Sequence, residues 1–293
     1  MVSTRLGCST ISFRRLDLGA ALATIADLGF SEVDLGSLPG VCEHVPLDLD
    51  RPARSRVVAA VRANGLAVRS INADIGDLNR PISAGETAQR RRHLEELLAL
   101  AADVGSMAVV LPNGALSRAP IQSLTADLDL VAAELTAAAA VAETHGVGLW
   151  TESLHVLRLC CTVQRATALA ERLAGSTVGH VLDVSHVVAS GAHLAEAIAA
   201  LDERIEHVHL RDATRGEPGD DSDPLRPGNI NLSIGRGEVD FDAGLRALGD
   251  SAFTGHLTLE LETHDIDDRV RPAVTAAAAR TIEALLDTHL PTN

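Results

Sequence analysis

Residues 178–210, VGHVLDVSHVVASGAHLAEAIAALDERIEHVHL, contain one complete copy of the pattern that decides the fold. Two short apolar runs in it, Val178–Asp183 and Ile205–Leu210, have the length and composition of buried strands. The alanine- and leucine-rich segment Leu194–Leu201 between them carries apolar residues at helical spacing. A strand, a crossover helix and a second strand in this order predict two parallel strands in one sheet.

The same alternation covers the whole chain. The candidate strands are Arg5–Ile11, Glu32–Leu35, Ala67–Asn72, Met107–Leu111, Gly148–Glu152, Val178–Asp183, Ile205–Leu210 and His256–Leu261. The candidate helices are Leu18–Leu28, Ser55–Ala63, Thr87–Val104, Leu124–Thr144, Arg165–Leu173, Leu194–Leu201, Ala243–Leu248 and Val274–Leu286. Eight such units favour a closed parallel barrel, the (β/α)8 fold, in a single domain over residues 1–293. An open doubly wound sheet is the alternative, but the first strand-to-helix turn has no G-x-G-x-x-G sequence.

Charge and hydropathy limit the partners of the chain. A formal charge of −15 and a pI of about 5.1 repel a polyanion, so nucleic acid is not an expected partner. No stretch of about 20 apolar residues predicts a membrane span, and the first residues do not resemble a secretion signal, so we expect a cytoplasmic protein. The four cysteines have no C-x-x-C spacing and are interpreted as buried thiols. The sequence leaves open whether the chain forms a homo-oligomer.

The absence of lysine excludes several mechanisms. All 25 basic residues other than histidine are arginine, and tyrosine is also absent. Schiff-base aldolases, pyridoxal-phosphate enzymes and P-loop nucleotidases each need a lysine amine at the reacting centre. Electrophilic assistance must therefore come from arginine, histidine, backbone dipoles or a metal ion.

Metal-competent side chains stand at the ends of four successive predicted strands, at Glu152, Asp183, His209 and Glu260. The carboxyl ends of barrel strands surround one mouth, so these side chains should converge there. Three buried carboxylates without a cation would be costly, and an oxygen-rich set suits Mn²⁺, Mg²⁺ or Co²⁺. The pattern therefore predicts one divalent metal ion. Because Glu262 shares the strand face of Glu260, periodicity alone does not choose between them.

Two other features accompany the seventh strand. We interpret His207 as a structural residue that points away from His209, toward the helices. The segment from Arg211 to Asp240 has about 30 residues, and connections of this length in compact domains are usually functional lids or disordered. In a barrel it leaves the end of the strand where active sites lie.

Three motifs in this order resemble the xylose isomerase-like barrels, a TIM-barrel group that includes sugar isomerases and epimerases, tagatose 3-epimerase, inosose dehydratase and endonuclease IV. They are Asp183-Val184-Ser185-His186, His207-Val208-His209-Leu210-Arg211-Asp212 and Gly235-Arg236-Gly237-Glu238-Val239-Asp240-Phe241. The resemblance runs from Cys8 to Glu260. It implies the ligands Glu152, Asp183, His209 and Glu260, the last because the family glutamate lies five residues after the glycine matched by Gly255.

The resemblance also implies a cofactor and catalytic residues. It implies one divalent ion, with Mn²⁺ preferred and Mg²⁺, Co²⁺ or Zn²⁺ as alternatives, and proton transfer by Glu152 and Glu260. His186 and Arg215 match the substrate-binding histidine and arginine of the ketose 3-epimerases. The endonuclease IV branch binds three zinc ions through extra histidines and uses basic loops, which a chain of charge −15 lacks.

One departure from the family concerns the loop after the fifth strand. Arg158 stands where the epimerases have a second acid, and His155 lies three residues after the first glutamate. We predict that both bind substrate. Because arginine suits phosphate or carboxylate, Arg158 favours sugar phosphates, sugar acids or dehydration of a keto-substrate over free ketoses.

The sequence therefore predicts a metal-dependent isomerase or epimerase of a sugar, sugar phosphate or sugar acid that acts through an enediolate. The alternative is a metal-dependent dehydratase, or lyase, on a keto-sugar or keto-cyclitol, since both reactions begin with abstraction of the same α-proton. A binding or regulatory protein is disfavoured because the ligand set is complete.

Overall fold

Eight parallel strands pair edge to edge, and the last of them closes on the first. The computed structural model describes residues 2–220 and 223–290. The barrel strands are β1 Leu6–Ser9, β2 Glu32–Ser37, β3 Ala67–Ala73, β4 Ala108–Pro112, β5 Gly148–Glu152, β6 Gly179–Asp183, β7 Ile205–Leu210 and β10 His256–Leu259. Their order around the barrel is β1-β10-β7-β6-β5-β4-β3-β2. A short antiparallel pair, β8 Glu217–Pro218 and β9 Leu225–Arg226, lies outside the barrel. The predicted (β/α)8 barrel is confirmed.

Helices surround the strands, and their apolar faces cover the barrel. They are α1 Leu18–Asp27, α2 Arg51–Ala63, α3 Ala84–Val104, α4 Leu124–Thr144, α5 Val163–Arg172, α6 Val184–Ala189, α7 Leu194–Leu201, α8 Phe241–Gly249 and α9 Arg271–His289. Among the residues that the model describes, no helix is both long and apolar enough to span a membrane. All four cysteines are buried and free, as expected.

Capping side chains explain why some helices begin earlier than hydrophobic periodicity predicts. The carboxylate of Asp50 accepts a hydrogen bond from the Ala53 backbone, which starts α2 four residues before its first predicted residue. Ser83 and Glu86 form a capping box that starts α3 in the same way. Apolar spacing does not detect these polar first turns, because the cap lies before the buried stripe begins.

The expected orientation of His207, toward the helices, is wrong, because residues two apart in a strand share a face. The His207 side chain is fully buried inside the barrel, where its Nε2 donates to Asp34 Oδ2 at 2.8 Å. Asp34 belongs to β2, three strands away around the barrel, so this contact crosses the interior. The ring also stacks on Trp150, with 5.6 Å between ring centroids. His207 therefore lies inside the barrel, one layer below His209.

The segment after β7 has a folded base, so in its described part it is not a disordered connection. Asp212 is buried, and its carboxylate accepts four backbone hydrogen bonds of 2.8–3.1 Å, from Ala213, Gly235, Gly237 and Val239. A Cβ atom at Gly237 would lie 2.3 Å from Asp212 Oδ1, so this close approach requires glycine. Residues 221 and 222 of this segment lie outside the described residues. One carboxylate thus holds both ends of the segment together.

Candidate metal centre

Three candidate ligands meet at the carboxyl end of the barrel. Glu152 ends β5, Asp183 ends β6 and His209 lies near the end of β7. One ligand atom from each lies within 4.8 Å of the other two. Parallel neighbouring strands bring these positions together, because Asp183 pairs in register with His209 and Glu152 pairs with Val181. The convergence follows from strand register, as the sequence predicted for a barrel mouth.

Glu260, and not Glu262, lies against His209 of this cluster. Its Oε2 is 3.6 Å from Nδ1 of His209, and its Oε1 accepts from Asn72 Nδ2 at 3.0 Å. Glu262 turns away and pairs with Arg14 Nη1 at 2.9 Å. The two glutamates do not share a face, because β10 ends at Leu259 and the Glu262 amide donates to the Glu260 carbonyl in a tight turn. The alternation of a strand therefore ends before these two positions and does not place them on one face.

The side chains of this cluster fit a divalent ion. Glu152 Oε1 and both ring nitrogens of His209 are buried and have no hydrogen-bond partner among the described residues. Buried polar atoms are normally paired, and each such exception needs an explanation. Three carboxylates and one imidazole form an oxygen-rich donor set, which suits Mn²⁺ or Mg²⁺. An ion between them would satisfy Glu152 Oε1 and one nitrogen of His209 and would offset the repulsion of the carboxylates.

Burial and mutual repulsion perturb the acidities of the cluster. Burial, with the charges of Asp183 and Glu260, raises the pKa of Glu152 to about 8. Burial likewise raises the pKa of Glu260. Burial alone would lower the pKa of His209, but the neighbouring carboxylates of Glu260 and Asp34 outweigh it and raise that pKa to about 10. Without a cation, this site therefore holds protons at neutral pH.

Mn²⁺ binding should release protons at neutral pH. Glu152 is protonated below its pKa of about 8 and His209 below about 10, and both must lose a proton to act as ligands. We expect calorimetry at pH 6.5, in two buffers of different ionisation enthalpy, to show release of roughly one proton or more per ion. The apparent Mn²⁺ affinity should rise from pH 6 to pH 8. An affinity that is constant over this range, without proton release, would contradict the proposed ligands.

Two histidines border the cluster. His186 Nε2 is 3.5 Å from Glu152 Oε1, and its Nδ1 accepts from the Val156 backbone at 3.3 Å. This contact leaves the ring proton on Nε2, the nitrogen that faces Glu152. The His155 ring lies against His186, with 3.9 Å between centroids. Burial lowers the pKa of both rings well below 6.5, so both are neutral at pH 7 and His186 offers an N–H donor.

Arg158 borders the cavity but is already paired. Its Nη2 donates to Asp74 Oδ2 at 2.8 Å, and its Nη1 donates to the Gly114 carbonyl at 2.7 Å. The Asp74 carboxylate neutralises its charge, so the guanidinium is not free to hold an anion. Sequence reasoning could not foresee this pairing, because Asp74 lies 84 residues earlier in the chain.

The structure does not bring Arg215 to this site. Its guanidinium donates to the carbonyls of Gly191 and Ala192 at 3.0 and 3.1 Å, behind the mouth. The family match assigned Arg215 to the substrate because it lies six residues after His209. Contacts along the segment, and not the number of residues, set the path of the chain here. A Cβ atom at Gly228, for example, would lie 1.8 Å from the Thr214 carbonyl oxygen.

Arg211 occupies the mouth instead. It is 2% exposed, its Nη2 lies 3.2 Å from Asp183 Oδ2 and its Nη1 lies 3.7 Å from Glu262 Oε2. Its Nε also donates to Ser185 Oγ at 3.3 Å. The sequence analysis includes Arg211 in a motif but predicts no role for it. Its position directly after β7, at the carboxyl end of a barrel strand, could have indicated a place in the site.

A cavity of about 330 Å³ opens above the cluster. Its polar lining includes Glu152, His155, Arg158, His186, Arg211 and Glu260. Its aliphatic lining includes Leu38, Pro39, Val41, Leu116, Leu157 and Ile230. The volume and the mixed lining suit a small molecule.

Comparisons with known proteins agree with this architecture. A family model described as xylose isomerase-like TIM barrel matches residues 22–286. None of the curated proteins compared with the chain matches it.

Solved structures share the fold along almost the whole chain. D-psicose 3-epimerase from Clostridium cellulolyticum H10, solved with D-tagatose, is 16% identical with a TM-score of 0.76, covering 96% of this chain and 99% of that one. The IOLI protein with a binding zinc atom is 18% identical with a TM-score of 0.73, covering 98% and 100%. A probable 3-DHS dehydratase from Bacillus anthracis is 15% identical with a TM-score of 0.70, covering 95% and 98%. Identities this low show a common fold.

Proposed function

This chain belongs to the xylose isomerase-like TIM-barrel family, and on that premise we propose that it is a divalent-metal-dependent isomerase or epimerase of a sugar-like hydroxy ketone. One observation carries the proposal. Glu152 has a buried carboxylate oxygen without a hydrogen-bond partner, inside the candidate ligand cluster and on the cavity wall. An acid in this position combines the two tasks that such a reaction needs, metal binding and proton transfer.

A divalent ion held by Glu152, Asp183, His209 and Glu260 would supply positive charge beside the substrate oxygens, where negative charge develops. Glu152 takes the proton from the carbon next to the carbonyl, because its carboxylate lies on the cavity wall beside the other candidate ligands. Glu260, held by Asn72, returns a proton to the carbon from the other side. The neutral His186 donates a hydrogen bond from Nε2 to a substrate oxygen and keeps its proton throughout the cycle.

The charges around the cavity favour a neutral substrate. Both arginines of its wall already have acid partners, Arg158 in Asp74 and Arg211 in Asp183. A phosphate would bring two further negative charges toward an acidic cluster without finding a free guanidinium. This pairing removes the reason that the sequence offered for preferring sugar phosphates or sugar acids. We therefore propose a neutral keto-sugar or keto-glycoside as the substrate.

A dehydratase is the second candidate, and the paired histidines support it. The His155 and His186 rings pack against each other at a tilt beside Glu152, so a hydrogen-bond donor lies near the base. Loss of water requires protonation of a hydroxyl on the carbon next to the one that loses its proton. The proton that Glu152 takes could pass to this hydroxyl, with the neutral His186 Nε2–H as a hydrogen-bond donor to the leaving oxygen, in place of the transfer by Glu260.

A substrate panel in D₂O with Mn²⁺ tests the proposal. Neutral ketoses, keto-glycosides and keto-cyclitols are compared with their phosphates and followed by NMR. We expect deuterium to enter a neutral substrate at the carbon next to the carbonyl, with inversion or carbonyl migration, and to stop when EDTA is added. Loss of water instead identifies the dehydratase. A phosphate that reacts better than its neutral parent would contradict the assignment of substrate charge, and no exchange with any compound would contradict the function.

A further inference from the structure

We propose that Asp34, on β2 three strands from β7 around the barrel, is a positioning residue that orients His209 and directs its Nδ1 to the metal. This inference rests on the proposed function, because it takes His209 to be a ligand. Asp34 interrupts the apolar run Val33-Asp34-Leu35 of β2 and is fully buried inside the barrel. A carboxylate at 0% exposure needs partners, and their identity points to its role.

The partners of Asp34 fix its carboxylate rigidly. Oδ1 accepts from the Ser70 backbone at 3.0 Å, which ties it to the neighbouring strand β3. Oδ2 accepts from His207 Nε2 at 2.8 Å. Trp150 stacks on the other side of the His207 ring and limits its movement. The carboxylate is therefore held from two strands and has little freedom to turn.

His209 lies between this fixed carboxylate and the candidate ligands. Its Nε2 is 3.6 Å from Asp34 Oδ2, and its Nδ1 is 3.6 Å from Glu260 Oε2. The two nitrogens thus face opposite sides, one toward the barrel interior and one toward the mouth. Neither has a hydrogen-bond partner in this structure. A carboxylate on the interior side favours a proton on Nε2, which leaves the lone pair of Nδ1 for the ion.

The alternative is a second ion held by Asp34, His207 and His209, whose ligand atoms also lie within 4.8 Å of one another. The 2.8 Å hydrogen bond between Asp34 and His207 argues against it, because an ion would have to displace the shared proton. The three residues also provide fewer oxygen donors than the cluster at the mouth. Asp34 is therefore assigned to orient a ligand rather than to be one.

The variant Asp34→Asn tests this role, with Glu32→Gln as the matched control. Glu32 lies two residues earlier on β2, and it also pairs with a histidine, His256 Nδ1 at 2.8 Å, and with Arg69. Those partners do not connect it to the ligand cluster. Both variants should lower the melting temperature of the metal-free protein. Only Asp34→Asn should weaken Mn²⁺ binding, by about 10–100-fold in Kd, as loss of a carboxylate behind a metal-bound histidine does.

Calorimetry gives the Kd and the number of ions bound, and ¹⁵N NMR of wild-type protein loaded with Zn²⁺ gives the proton position without any substitution. We expect one ion per chain and a proton on Nε2 of His209. An equal Mn²⁺ affinity in Asp34→Asn and Glu32→Gln, or a proton on Nδ1, would overturn the inference. Two ions per chain, one of them lost in Asp34→Asn, would make Asp34 a ligand and also overturn it. A wild-type protein that binds no divalent ion would overturn the proposed function itself.

Discussion

Glu152→Gln is expected to lower kcat by about 10²–10⁴-fold, the usual contribution of a general base. The amide keeps the size of the side chain and one oxygen for the metal, but it cannot accept a proton at neutral pH. Deuterium exchange into the substrate should fall by the same factor as turnover, since both depend on abstraction of the α-proton. The measurement is steady-state kinetics with the best neutral substrate, alongside the NMR exchange rate.

Glu262→Gln provides the comparison for that variant. Glu262 also lines the cavity, but its carboxylate pairs with Arg14 and lies away from His209. We expect a much smaller loss of kcat than in Glu152→Gln. Mn²⁺ affinities of both variants, measured in the same buffer, separate loss of the ion from loss of the base. If Glu262→Gln lost more activity than Glu152→Gln at saturating Mn²⁺, the assignment of the base would be wrong.

Arg211→Met is expected to have the largest effect on stability. Arg211 is the guanidinium between Asp183 and Glu262, and it is 2% exposed. Its removal leaves a buried acid without its cationic partner, a change that typically costs about 3–5 kcal/mol. Urea unfolding of the metal-free protein should show this loss. Mn²⁺ should recover part of it, because the ion brings positive charge back to the cluster.

Arg215→Ala is the control, since Arg215 lies four residues later on the same segment and, within the described part of the chain, its guanidinium donates to backbone carbonyls. We expect its free energy of unfolding to stay within roughly 0.5 kcal/mol of the wild type, as for most surface substitutions. Its KM should also be unchanged. A strongly raised KM in Arg215→Ala, with little effect of Arg211→Met, would restore the role that family spacing implied for Arg215.

Periodicity predicted the barrel well because each strand and helix is a local pattern. The segments Gly148–Glu152, Leu124–Thr144 and Ile205–Leu210 have the same bounds in the structure as in the sequence analysis. The convergence of strand ends also follows from topology, so Glu152, Asp183 and His209 could be expected to meet. Errors of one turn occurred at helix starts, where a polar cap and not the apolar stripe sets the boundary.

Side-chain partners far apart in the sequence could not be predicted in this way. Asp34 and His207 are separated by 173 positions, and no periodicity relates them. Arg158 and Asp74 are separated by 84 positions, and their pairing is the reason that we propose a neutral substrate in place of an anionic one. The expected position of Arg215 was wrong for a related reason. The number of residues along a long segment does not determine where that segment turns.

The carboxylate of Asp212 has a consequence for how this protein could be redesigned. It fastens the two ends of the segment after β7 to each other, so the chain between them is a closed loop on a fixed base. Doubling the length of a flexible loop with fixed ends costs only about 0.6 kcal/mol in closure entropy. Insertions or grafted sequences at its outer hairpin, β8 and β9, should therefore be tolerated without displacing the ligand cluster. Ile230 and Asn231, later in the same segment, line the cavity, so changes there could select new substrate preferences while the barrel stays constant.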